Sequence, residues 1–97
     1  MTSALTMSAR LYPVSGGEWE CHLYMGRRVL CHRHGWSDKL AVASVAGWVC
    51  SNRCDLTLAD KEDALIVLRG LCIQTGTVWI HDRIEADFNA NVGLCRV

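Results

Sequence analysis

A chain of 97 residues, half of them apolar and four of them Trp, reads as one small domain over 1–97 whose core requires neither a metal nor a disulfide. The formal net charge is zero, yet residues 1–54 carry six basic against three acidic side chains (+3) and residues 55–97 carry the opposite excess (−3). That split points to a partner met through charge complementarity, while the lack of any apolar run near the ~18 residues that span a bilayer excludes a membrane helix.

Residues 1–9 contain no basic region followed by a long apolar run, so no secretory signal is read there and a cytoplasmic location is expected. Residues 1–8 form a loose start. Residues 10–14 read as a short edge strand or arm broken by Pro13, and Gly16-Gly17 marks a turn. From 18 to 25 the residues alternate, with Trp19, Cys21, Leu23 and Met25 on one side and Glu18, Glu20, His22 and Tyr24 on the other, which is a half-buried strand. Gly26-Arg27 suits a two-residue hairpin turn with glycine first, and residues 28–34 return as the second strand. A regular hairpin sets Leu23 opposite Leu30, and Glu20 opposite Arg33 on the other face.

Ser37 then offers a side-chain oxygen to the unpaired amides of a helix start, Asp38 suits the positive end of the dipole, and residues 39–50 are apolar on nearly every side. A helix of that kind over 37–50 must be covered on more than one face. Leu56-Thr57-Leu58 reads as a short strand. Thr57 or Asp60 caps a second helix running to about Ile73, with an acidic first turn and Ala64, Leu65, Leu68, Leu71 and Cys72 forming its inward face. Gly76 stops it, residues 77–82 are β-branched and aromatic enough for a strand, and residues 92–97 supply another.

The expected architecture is therefore α+β: a small antiparallel sheet, made of the hairpin over 18–34 plus C-terminal strands, packed against two helices near 37–50 and 60–73. Trp19, Leu23, Leu30, Val45, Trp48, Leu65, Leu68 and Trp79 form its expected core.

Chemistry is harder to place. Cys31 and His34 with Cys50 and Cys54 have the donor types of a zinc site, but a helix rising 1.5 Å per residue carries Cys50 about 20 Å from the first pair. The six cysteines, at positions 21, 31, 50, 54, 72 and 95, are read instead as reduced core residues. Cys21 or Cys31 with a histidine base has no local nucleophile motif around it. Gly16-Gly17 lacks the spacing of a phosphate loop, and Glu85 with Asp87 reads as a solvated face. No catalytic residue, cofactor or metal is assigned, and the chain is read as non-enzymatic.

Two resemblances bear on partners. Strand, turn, strand, helix, with Gly35-x-Ser37-x-Lys39-x-Ala41 opening the helix and Val45-Ala46 following, resembles the C-terminal part of a double-stranded-RNA-binding domain. Lys39 matches one of that family's three basic positions, while Asp38 and Val42 occupy the others. The resemblance implies RNA held by Arg27, Arg28, Arg33 and Lys39. The hairpin over 18–34, the helix over 37–50 and the acidic set Asp60, Glu62, Asp63, Glu85 and Asp87 are similar in architecture and size to small phage-encoded anti-CRISPR proteins. That similarity implies an inhibitor that docks on a CRISPR surveillance complex or nuclease and blocks nucleic-acid binding or nuclease recruitment; an antitoxin or immunity-type protein has the same outline. The expected partner is a protein that handles nucleic acid, met through Asp60, Glu62, Asp63, Glu85, Asp87, Arg27, Arg28 and Arg33, with RNA as the alternative and no membrane.

Overall fold

The computed structural model describes residues 6–51 and 54–80. Three antiparallel strands, β1 (Met7–Pro13), β2 (Trp19–Met25) and β3 (Arg28–Gly35), form a sheet in the order β1-β2-β3, followed by helices α1 (Asp38–Cys50) and α2 (Leu58–Thr75). Both helices lie on one side of the sheet: α1 crosses β2 and β3, and α2 packs beside it and over β1. This is a small α+β fold with an antiparallel sheet.

The third strand comes from the N-terminal side. β1 starts at Met7, three residues before the expected Arg10, and pairs with β2 along its whole length, from Met7 opposite Met25 to Pro13 opposite Trp19. Pro13 is tolerated because, among the described residues, β1 has no neighbour on its outer edge. Residues 56–58 are not a strand, since α2 already begins at Leu58. Residues 77–80 also carry no strand. The rest of that expected strand, and the one over 92–97, lie outside the described residues.

The hairpin register departs from the regular one. Met25 faces Arg28 and Tyr24 faces Val29, but Leu23 faces Cys31 and Glu20 faces His34. Leu30 is the extra residue of a β-bulge. In a regular ladder Leu30, His32 and His34 would share the side of Leu23, and two imidazoles would be pressed against the helices at a cost of ~1–3 kcal/mol for each polar group left without a partner. The bulge points both Leu30 and Cys31 at the helices and turns His32 and His34 to the opposite face. The expected pairs Leu23–Leu30 and Glu20–Arg33 therefore do not form.

α1 behaves as its sequence demands. Ser37 Oγ accepts from Leu40 N–H at 3.4 Å, Asp38 Oδ1 accepts from Lys39 N–H at 2.8 Å, and Ala41, Val42, Val45, Ala46 and Val49 are buried between sheet and α2. At Gly35 the end of β3 runs so close to α1 that any Cβ would strike the backbone of Leu40 and Ala41. α2 starts where Thr57 Oγ1 accepts from Asp60 N–H at 3.1 Å, and stops where Gly76 takes a left-handed conformation (φ 71°). Just beyond, buried Thr77 donates to Asp38 Oδ2 at 2.9 Å, fastening the end of α2 to the start of α1.

Of the expected core, Leu23, Val45 and Leu68 are buried; Trp19, Leu30, Trp48, Leu65 and Trp79 are half-buried and pack around them. Cys21, Cys31 and Cys72 complete the interior with α1 alanines and valines, as small residues should where a helix lies close to a sheet.

Candidate functional site

The side of the sheet turned away from the helices carries the densest chemistry among the described residues. Alternation along each strand builds three cross-strand rows: Ser8, Tyr24 and Val29; Arg10, His22 and His32; Tyr12, Glu20 and His34. Glu20 is the hub. Its Oε1 accepts from His22 Nε2 at 2.6 Å and lies 3.7 Å from His32 Nδ1, while its Oε2 lies 3.2 Å from His34 Nε2.

The network extends toward β1. Tyr24 Oη is 3.3 Å from His22 Nδ1 and 3.3 Å from Tyr12 Oη, and the Tyr12 ring meets the His22 ring edge-on with centroids 4.9 Å apart. Because an ionised carboxylate only accepts, Nε2 of His22 carries the proton shared with Glu20. In the neutral imidazole Nδ1 is then the acceptor for the Tyr24 hydroxyl. The His22 hydrogen bond holds the Glu20 carboxyl below the usual carboxylate range, partial burial opposes this, and the nearby His34, His22 and His32 rings add to the lowering. Tyr12 is lowered by its hydrogen bond with Tyr24 and by Arg10, and Tyr24 is raised by the same hydrogen bond.

The residues singled out from the sequence scatter around this face. Arg27, at the hairpin turn, lines a shallow pocket of about 290 Å³ with Ser8, Arg10, Tyr24 and Gly26. Arg28 lines a second one, about 240 Å³, together with Leu30, Trp48, Asp55 and Asp60. Of the basic and acidic sets, Arg28 and Asp60 thus meet in one groove. Arg33 is exposed, and its register opposite Cys21 gives it the helix side of the sheet, away from Glu20. Glu62 and Asp63 are exposed on α2; Glu85 and Asp87 lie outside the described residues.

Along α2 the residues at 58, 62, 66, 69 and 73 fall within one 80° arc at 100° per residue. Three of them are large, aliphatic and open to solvent: Leu58 (74 %), Ile66 (66 %) and Ile73 (84 %). Glu62 sits inside this stripe and Asp63 beside it. Arg69 stacks over the Trp79 ring, 5.2 Å from its centroid.

The cysteine readings are resolved by burial. Cys31 faces the core whereas His34 is engaged with Glu20 on the other face, so that Cys-x2-His pair is not a ligand pair. Cys54 Sγ donates to Val49 O at 3.2 Å. Desolvation pushes the Cys21 thiol up to about 12, with smaller contributions from Cys72 and Cys31, and desolvation likewise raises Cys31 and Cys72. Among the described residues neither Cys21 nor Cys31 has a histidine on its own side of the sheet, because His22, His32 and His34 all face outward.

The Glu20 cluster was missed in the sequence because the regular register buries His32 and His34. The signals were Glu20-x-His22-x-Tyr24 and His32-x-His34, two runs of polar residues at strand spacing; they converge only once Leu30 is bulged. Comparison of the chain with protein-family models, curated proteins and solved structures finds no match. No helix among the described residues is long and apolar enough to cross a membrane.

Proposed function

We propose that this protein works by binding another macromolecule, without chemistry of its own, as a stoichiometric inhibitor docked on a protein that handles nucleic acid. The observation that supports this reading is the exposed aliphatic stripe of α2. A monomeric domain gains nothing from holding Leu58, Ile66 and Ile73 in water, and apolar anchors ringed by charge are the usual composition of a docking patch. Glu62 and Asp63 at this patch suit a target with a basic surface, such as the nucleic-acid channel of a CRISPR surveillance complex or nuclease. Asp60 serves the adjoining groove beside Arg28. The free thiols of Cys21, Cys31, Cys54 and Cys72 are in keeping with the cytoplasm as its place of action.

A second reading has its own observation. Arg10, Arg27 and Tyr24 line one pocket at the hairpin, a combination suited to a phosphodiester and an unstacked base of RNA.

One experiment separates them. Interference by a panel of CRISPR effectors is assayed with the wild-type protein, with Glu62→Lys/Asp63→Lys, and with Arg27→Glu/Arg28→Glu. Inhibition that is lost in the carboxylate variant at unchanged melting temperature, with the complex surviving nuclease treatment, supports the inhibitor. Retention on RNA that only the arginine variant abolishes, with no inhibition by any form, replaces it with the RNA-binding reading.

A further inference from the structure

We propose that Glu20, His22 and His32 form a binding site for a divalent first-row transition ion, with zinc as its type ligand, on the open face of the sheet. The inference is independent of the docking surface on α2. One ligand atom from each of the three residues lies within 4.8 Å of the others. Zinc at about 2.0–2.2 Å from nitrogen and oxygen donors sets them about 3.3–3.5 Å apart, so closing the site takes side-chain movements of about 1 Å and leaves the backbone in place.

The sheet supplies the preorganisation. His22 and His32 are directly opposed on β2 and β3, their ring centroids 5.4 Å apart, and Glu20 is two residues from His22 on the same face. Imidazole and carboxylate together are the donor set that zinc, nickel and copper prefer, and three protein ligands leave a coordination position for water on the exposed side.

The surrounding groups have the right capacities. His34 Nε2 holds the second oxygen of Glu20, fixing the carboxylate with Oε1 toward the histidines. When His22 Nε2 turns from Glu20 to the metal its proton must leave that nitrogen, and Nδ1 takes it up and donates it to the Tyr24 hydroxyl oxygen, which already lies 3.3 Å away. A metal-bound histidine with its second N–H tied to an outer acceptor is the stable arrangement. Tyr24 in turn passes its own hydroxyl proton toward Tyr12, 3.3 Å off. Arg10, the other charged side chain in the His22 row, is drawn to the Tyr12 hydroxyl on the β1 side.

The test is calorimetric titration of ZnCl2 into the untagged, reduced protein at about pH 7.5. One ion per chain is expected. His22→Gln, His32→Gln and Glu20→Gln should each weaken binding by at least about tenfold while the metal-free protein keeps its circular-dichroism spectrum. Cys50→Ser with Cys54→Ser should change nothing. Imidazole nitrogen NMR adds a readout that a general loss of affinity would not give: on zinc addition Nε2 of His22 moves to the metal-bound range and Nδ1 becomes the protonated nitrogen. Absence of saturable binding up to about 1 mM zinc overturns the proposal, as does binding that survives the His22→Gln/His32→Gln double variant or disappears with the two cysteines.

Discussion

Gly35→Ala tests the sheet-to-helix contact on which the fold depends. The added methyl carbon would lie 2.7 Å from Leu40 C, 2.8 Å from Ala41 Cα and closer still to Ala41 N, all backbone atoms with no rotamer to escape into. Restoring ordinary contact at 3.4 Å with the nearest of these atoms requires α1 to withdraw by about 1 Å at its first turn. Withdrawal opens the interface that buries Ala41, Val42 and Val45, so the cost belongs at the upper end of the ~1–3 kcal/mol typical of overpacking. With an unfolding entropy near 2.1 cal/mol/K per residue over 97 residues, that is a fall in Tm of about 10–15 °C. Urea unfolding followed by circular dichroism measures it. Gly47→Ala in α1 and Gly70→Ala in α2 are the controls. An added methyl there meets nothing within 4 Å, and the helix propensity of alanine should stabilise each by about 0.5–1 kcal/mol. A Gly35→Ala protein as stable as wild type would refute the close approach of β3 to α1.

Leu68→Ala, at a fully buried side chain of α2, should cost about 2–5 kcal/mol in the same assay; a loss below ~1 kcal/mol would mean that α2 turns another face inward. Iodoacetamide labelling read by peptide mass spectrometry should reach half-buried Cys50 well before Cys21, whose thiol is pushed up to about 12, and equal rates would contradict the buried thiol cluster. Glu20 titrates below the usual carboxylate range, so its contribution is present above the ordinary carboxylate pKa and disappears as pH falls through the lowered folded value. The Tm gap between wild type and Glu20→Gln should accordingly be open at neutral pH and close in acid; a gap that persists unchanged in acid would show that the carboxylate's ionised form is not what His22 and its neighbours hold.

Both helices were legible because their signals are local. Ser37, Thr57 and Gly76 satisfy or end backbone hydrogen bonding within a few residues of themselves, and the apolar spacing of α2 names its inward face without reference to the rest of the chain. The apolar circumference of α1 likewise required cover from two sides, which the sheet and α2 supply. Pairing partners were less legible. β1 has the composition of an edge strand, but its length is set by the strand it meets, and Met7 joins only because β2 extends to Met25. The exposed α2 stripe was invisible for a related reason: Ile66 and Ile73 read as apolar residues of a helix, and only packing decides which apolar residues stay outside.

Leu30 is where local and global rules conflict, and the conflict decides what the sheet presents to solvent. Pattern alone places it across from Leu23 and sends His32 and His34 inward. The folded chain keeps Leu30 against the core by adding it to the ladder as an unpaired residue, so that every later residue of β3 changes side. Deleting Leu30 should therefore leave the outer face intact, with Leu23 still opposite Cys31 and His22 still opposite His32. The deletion would remove one half-buried leucine and the bulge, lowering stability by about 1–3 kcal/mol. Nuclear Overhauser contacts between the His22 and His32 rings report the pairing directly and should persist in the deleted protein. Their loss, with Cys31 becoming reactive to thiol reagents, would mean that the strand had slipped by one residue and that the pairing of Leu23 with Cys31 depends on Leu30 itself.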